Sequence, residues 1–208
     1  MKLIRKGTFE TNSSSTHAIV IPKNVEEDKY SLYDSLDHEY CFGRGAYRLV
    51  DAWDEKLAYS YMALKDNGTT KEELKSFKDN VIEIWKTIDK NKTTPTPIDV
   101  FNYLDRDGKD GNLTGNDSFL VLMDRGYNYI DHSSELNGTG FIERLKTDID
   151  FLKRFLFNKD SYITIGGDEY CGYNIKTIGF EYDYEDYNEF ENKLDKYMED
   201  NDVYLKGN

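Results

Sequence analysis

Apolar residues recur along the chain in two rhythms, one of three to four residues and one of two, and the switches between them mark out the elements. From Ala52 onward Trp53, Leu57, Tyr61 and Leu64 fall at helical spacing, and Asp66-Asn67-Gly68 supplies a stop. Thr70 and Glu73 then form a capping-box pattern ahead of one apolar stripe, Leu74, Phe77, Val81, Ile84, Trp85 and Ile88, so a second helix is expected to pair with the first through the two stripes. Thr94-Pro95-Thr96-Pro97 breaks the chain; Thr96 as cap and Pro97 at the first helical position start a short helix through Leu104. Gly138-Thr139-Gly140 introduces a long helix with Phe141, Ile142, Leu145, Ile149, Leu152 and Leu156 on one face, and a last helix carries Tyr187, Phe190, Leu194 and Tyr197.

The two-residue rhythm predicts strands at Lys2 to Arg5 and at His17 to Ile21, closed by Pro22, with the polar loop Thr11 to Thr16 between them. Residues 23–50, with the turn Gly43-Arg44-Gly45, read as a long connection carrying one or two small strands. Phe119 to Met123 and Tyr127 to Ile130 flank Asp124-Arg125-Gly126 as a hairpin. Tyr162 to Ile165 reads as a strand, and Ile178, Phe180, Tyr182 and Tyr184 alternate with Gly179, Glu181 and Asp183 as another, apolar on one face and acidic on the other. Val203 to Leu205 adds a terminal edge strand. Strands and helices occur in irregular order, with no internal repeat and no clear linker. The expectation is therefore a single α+β domain over residues 1–208, a mainly antiparallel sheet with several helices packed on one face.

Composition narrows the function classes. Aromatics make up 14% of the chain, too many for a disordered acidic polymer. The longest apolar run, Phe119 to Met123, is far short of a membrane span of roughly 20 residues. No signal-peptide pattern stands at the start, and the two cysteines, Cys41 and Cys171, offer no disulfide framework, so a host-cell cytoplasm is the expected setting. The formal charge of -13, from 40 acids against 27 bases, disfavours direct binding of nucleic acid and favours a basic partner.

The most unusual local sequence is Phe9-Glu10-Thr11-Asn12-Ser13-Ser14-Ser15-Thr16-His17. Consecutive hydroxyl side chains ahead of an imidazole offer hydrogen bonds to a phosphate or nucleotide group; a polar turn whose Asn and Ser side chains bond their own backbone is the competing account. If the protein is an enzyme, Ser14 or Ser15 is the candidate nucleophile and His17 its base, with Glu10 or a distant acid as orienter. No Gly-x-Ser-x-Gly elbow is present. The stretch Ile4 to His17 resembles the N-terminal signature of a group of small uncharacterised proteins from phages and related Gram-positive bacteria. That resemblance covers under a tenth of the chain, implies a mobile-element origin, and carries no activity with it.

Asp37-His38-Glu39 and Asp131-His132-Ser133-Ser134-Glu135 set carboxylates beside histidines, but neither a His-Glu-x-x-His nor a paired Cys-x-x-Cys motif occurs, so no metal and no cofactor is expected. Asp105 to Asn116 fails as a calcium loop, with Lys109, Asp110 and Asn116 at positions where ligand, glycine and bidentate Glu are required. Gly166-Gly167-Asp168, beside Cys171, reads as a turn. The stretch Glu181 to Asp202 holds ten acids against two lysines, a formal balance of -8, interleaved with aromatics of the type enriched at interfaces. Glu181, Asp183, Glu185, Asp186, Glu189 and Glu191 are the candidate binding residues. Two functions follow: an accessory protein of phage or mobile-element type that binds a basic host protein, such as a nucleic-acid-handling or defence factor, as an inhibitor; or a small enzyme or binding protein for a nucleotide or phosphorylated substrate.

Overall fold

The structure is a computed structural model that describes residues 16–26, 29–30, 32, 40–42, 48–88, 95–106, 129–130, 133–166 and 196–206. In chain order its elements are β1 (Thr16–Pro22), β2 (Cys41–Phe42), β3 (Arg48–Val50), α1 (Trp53–Asp66), α2 (Lys71–Ile88), α3 (Pro97–Arg106), β4 (Tyr129–Ile130), a 3-10 segment (Ser133–Thr139), α4 (Phe141–Thr147), α5 (Ile149–Phe157), β5 (Tyr162–Gly166) and β6 (Asn201–Lys206). Residues 196–200 are helical and lead directly into β6. The class is α+β, as the order of patterns predicts. The expected strands at Lys2 to Arg5 and Ile178 to Tyr184, and residues 119–128 of the expected hairpin, lie outside the described residues.

The larger sheet has the order β3-β5-β1-β6 and every neighbouring pair is antiparallel. Because directly opposed residues share a face, the register sorts the side chains. His17 lies opposite Ile165 and Lys206, Ile19 opposite Ile163 and Tyr204, and Ile21 opposite Asp202. This face carries Ile19, Ile21, Val50, Ile163 and Ile165 into one core cluster with the helices. Helices thus cover that face of the sheet. β4 pairs in parallel with β2, so its described neighbour is a distant strand.

Helix α1 departs most from expectation. The stripe Trp53, Leu57, Tyr61, Leu64 predicts one buried face, yet every residue from Trp53 to Leu64 is buried. The helix is the central rod of the core, with the sheet on one side and other helices on the rest. Burying a charge costs several kcal/mol, of order the stability of a whole domain, unless the charge is partnered. Each buried polar group on α1 has a partner: Tyr40 donates to Asp54 at 3.2 Å, Arg48 pairs with Glu55, Lys56 donates to two backbone carbonyls, and Ser60 donates to the Lys56 carbonyl at 2.8 Å.

Local signals account for the helix ends. Thr70 and Glu73 form the expected reciprocal box, the Thr70 N–H donating to Glu73 at 2.9 Å and the Glu73 N–H to the Thr70 hydroxyl at 3.2 Å. Thr96 and Asp99 repeat it across Pro97. α1 stops where Gly68 takes φ of 73° and the Asn67 amide donates to the Ala63 and Ser133 carbonyls. α3 runs two residues past Leu104, so Asp105 belongs to a helix and accepts from Tyr61 and Lys78, both at 2.8 Å. Phe101 of α3 meets Tyr61 at 5.2 Å and Phe77 at 6.3 Å, so the stripes of α1 and α2 join in part through a third helix.

The expected single helix from Phe141 to Leu156 is two helices. Asp148 takes an extended conformation (φ -114°, ψ 99°) and its carboxylate accepts from the Phe151 N–H at 2.9 Å, an N-cap for α5. Arg144 from α4 donates to the same carboxylate at 2.9 Å. The apolar period continues across the break, which lets Phe141 pack edge to face against Phe151 at 6.0 Å and Phe155 at 5.3 Å.

Candidate functional site

Residues Arg48, Ile165, His17 and Lys206 form one row across β3, β5, β1 and β6 on the core face, at the end of β1 where the hydroxyl-rich segment enters the sheet. α1 lies over this row. Glu55 and Tyr59 are four apart and share a side of the helix. Tyr59 holds His17, with its Oη 2.8 Å from Nδ1, and Glu55 holds Arg48. The Arg48 guanidinium stacks over Phe42 at 5.6 Å, and Phe42 packs edge-on to the Tyr59 ring at 5.2 Å. The result is a polar seam between helix and sheet, walled by aromatic rings.

The electrostatics of the seam follow from its dryness. His17 is 1% exposed; burial, and after it the Lys206 ammonium, hold its pKa well below the usual imidazole value, so the ring is neutral at pH 7. Burial pushes the Tyr59 hydroxyl up, and it keeps its proton. Burial also raises the Glu55 carboxyl, with Arg48 opposing that shift. A general base needs access to its nucleophile and an acid behind it to stabilise the imidazolium. The Nδ1 partner of His17 is a phenol, and the neighbouring Lys206 charge disfavours protonation. The Tyr59–His17 contact joins α1 to β1.

Of the residues singled out by sequence, the structure therefore describes His17 and places it in the core. Ser14, Ser15 and Glu10 lie outside the described residues, as do His38, His132, Asp168 and all six candidate binding acids, Glu181, Asp183, Glu185, Asp186, Glu189 and Glu191. Among the described residues no three His, Cys, Asp or Glu side chains are grouped to hold a metal ion, and no helix is long and apolar enough to cross a membrane.

The described end of the acid-rich stretch has a clear polarity. Tyr197 turns inward, its hydroxyl 2.9 Å from that of Tyr162 on β5, while Glu199 and Asp200 are exposed. Lys23 ties this segment to the end of β1 by donating to the Met198 and Glu199 carbonyls at 2.9 and 2.7 Å. Asp202, at the start of β6, belongs to the fold: Arg144 reaches it at 3.0 Å and Arg154 at 3.2 Å, and Arg154 also donates to the Pro22 carbonyl at 2.7 Å.

A second buried cation sits in the same first turns of α1, next to Glu55 in sequence but with different partners. The Lys56 ammonium donates to the carbonyls of Asn158 and Ser161, both at 3.0 Å, where α5 ends and the chain turns into β5. Carbonyls at a helix C-terminus carry partial negative charge, so the contact clamps α1 to α5. Burial pushes the Lys56 amine down to about 7, with Asp51 and Asp160 opposing. A recess of about 310 Å³ lies beside it, in whose lining Trp53, Leu156 and Phe157 are buried while Lys159 is exposed and Asp51 half-buried. Sequence reasoning missed Tyr59, Lys206 and Lys56. Alternation of His17 with Ile19 and Ile21 could have placed His17 in the core, whereas nothing local marks a lysine in a helix as buried.

Comparison with known proteins gives no further identification: no family model, no curated protein and no solved structure matches the chain.

Proposed function

We propose that the protein is a non-catalytic, acidic binding module that docks on a basic protein through the stretch from Glu181 to Asp202. The observation that carries this reading is the polarity of the described part of that stretch, where the aromatic Tyr197 faces the sheet and the acids Glu199 and Asp200 face solvent. The sequence just before it adds the acids Glu181, Asp183, Glu185, Asp186, Glu189 and Glu191, a concentration of negative charge that would steer and hold a cationic partner. The state of His17 supports the same reading. Burial and the Lys206 ammonium oppose the imidazolium that a general base must pass through. With the phage-like opening sequence, the reading extends to an accessory protein of phage or mobile-element type that inhibits a nucleic-acid-handling or defence factor in the host cytoplasm.

The test is capture from a bacterial lysate on immobilised protein, with washes at low and high salt and identification by mass spectrometry. A basic protein that is retained at low salt, released at high salt and lost on the combined change Glu181→Lys, Asp183→Lys, Glu185→Lys and Glu189→Lys meets the expectation. Capture that survives both the salt and the charge reversal overturns it.

A further inference from the structure

The larger sheet has a second face, turned away from the helices, and its centre is dry. One row across it is Leu49, Thr164, Ala18 and Leu205, on β3, β5, β1 and β6; the next is Tyr162, Val20 and Val203, on β5, β1 and β6. None of the apolar side chains among them belongs to the core cluster that the helices make with the opposite face. Yet Val20 and Thr164 are 1% exposed and Ala18 5%, while Leu49 and Leu205 on the edge strands are 49% and 51% exposed. Tyr197 lies on this face, its hydroxyl 2.9 Å from that of Tyr162. The two rows are about 6.7 Å apart, too far for one ring to cover both.

The topology says where the rest of the cover comes from. β5 and β6 are each antiparallel to β1 and so parallel to each other, with β1 between them. Gly166 ends β5 opposite Thr16, and Asn201 begins β6 opposite Pro22, at the other end of β1. Residues 167–200 must therefore run back along the seven residues of β1, about 20 Å, and across two strand spacings of about 4.8 Å. The helical residues 196–200 show which face the return takes, because Tyr197 meets Tyr162 on the second one and the Lys23 N–H holds the Asp200 carbonyl at 2.9 Å, at the Pro22 end. The apolar period that ends in Tyr197 runs back through Leu194 and Phe190, three and seven residues earlier. Asp186, with Glu189 three residues on, is a helix-start pattern.

We propose that residues 187–200 form one crossover helix, capped by Asp186, that docks on the second face of the sheet through Phe190, Leu194 and Tyr197. Its length of about 21 Å matches the strands it crosses, and Leu194 and Phe190 lie about 4.5 and 10.5 Å back from Tyr197 along its axis, on either side of the Ala18 and Thr164 row. The chain's own segment is favoured over a second copy because a formal charge of -13 on each copy opposes self-association. Such a helix turns Asn192 and Asp195 outward with the exposed Glu199, and sets Glu189 and Glu191 on its flanks. This placement holds whatever those acids bind.

The experiment is hydrogen exchange of the full chain read by mass spectrometry, with alkylation of the thiol introduced by Ala18→Cys as a reporter on the covered face. Amides of 187–200 should be protected at least about 100-fold over the unstructured rate. Leu194→Asp and Phe190→Asp set a charge against the apolar rows; each should remove that protection and speed alkylation at position 18 at least about tenfold, with α1 still protected. Asn192→Asp, on the outward side, should change neither. Protection of α1 in the same spectra separates loss of the helix from loss of the fold, and should the aspartate variants fail to fold, the parent's protection and the milder Leu194→Ala decide. Sedimentation at the same concentrations distinguishes the chain's own helix from a second copy. Exchange of 187–200 at the unstructured rate, alkylation at position 18 indifferent to Leu194→Asp, or protection that appears only with dimer formation overturns the proposal. None of these readouts involves a basic partner, so their failure is separate from failure of the docking reading.

Discussion

Replacing Tyr59 with Phe isolates the contact on which the reading of His17 rests. The ring keeps its packing against Phe42 at 5.2 Å and Phe141 at 6.4 Å, so the change deletes one hydroxyl and little else. What is lost is the 2.8 Å hydrogen bond to a nitrogen on a residue only 1% exposed. A buried polar atom deprived of its partner costs about 1–3 kcal/mol, and at this chain length each kcal/mol lowers Tm by about 2–4 °C. Tyr59→Phe should therefore lower Tm by about 2–12 °C, with a matching loss in urea unfolding followed by tryptophan fluorescence. Trp53, stacked on Phe157, reports on the same core. His17→Leu should also destabilise, and the double variant should cost less than the sum, with a coupling of about 0.5–3 kcal/mol, because replacing both partners leaves neither polar group stranded. A Tyr59→Phe protein within about 0.5 kcal/mol of the parent, with additive behaviour in the double variant, would refute the assignment of His17 to a structural joint.

Three further outcomes follow from the same packing. His17 has a folded-state pKa below its unfolded value near 6.5, so the unfolded chain binds more protons below that pH; stability should fall as pH drops beneath about 6.5, by up to about 1.4 kcal/mol per unit, and His17→Leu should remove that component in urea titrations. Lys56, at about 7 when folded, carries the same sign at higher pH: between about 7 and 10 the unfolded chain binds the extra proton, so stability should climb with pH across that window and the climb should flatten in Lys56→Met. Asp148→Ala removes both the cap of α5 and the carboxylate held by Arg144, and should cost about 1–2 kcal/mol in chemical unfolding, where an exposed acid such as Asp79 gives a loss under about 0.5 kcal/mol.

Local rules govern what was legible in the sequence. The box at Thr70 and Glu73, the start at Thr96 and Pro97, the stop at Gly68 and the strands around Ile19 and Ile163 are each set by a few neighbouring residues, and all stand as read. The break at Asp148 escaped because an apolar stripe records which side faces the core and is blind to one extended residue; Asp148, a good N-cap residue in mid-stripe, was the available signal. The environment of α1 escaped for a different reason. Amphipathic spacing finds one apolar side, whereas the polar side of α1 is buried by partners distant in sequence, Asn158 and Ser161 for Lys56 and Arg48 for Glu55. Long-range pairing also decides His17, the first residue of the predicted strand, whose partners Tyr59 and Lys206 are brought to it only by the fold. The acids at 181–191 lie outside the described residues, so the binding reading rests on charge, on the polarity of residues 197–200 and on the burial of His17.

The most direct test of that reading sets two variants against the parent in one capture experiment from bacterial lysate at matched protein concentration, with folding of each checked by thermal unfolding. One carries Ser14→Ala with Ser15→Ala, and the other reverses the charges at Glu181, Asp183, Glu185 and Glu189. The account predicts that the serine variant retains a basic partner as fully as the parent and that the reversed variant loses it. Loss of the partner in the serine variant, with full retention after charge reversal, would contradict the account and return function to the N-terminal hydroxyl segment.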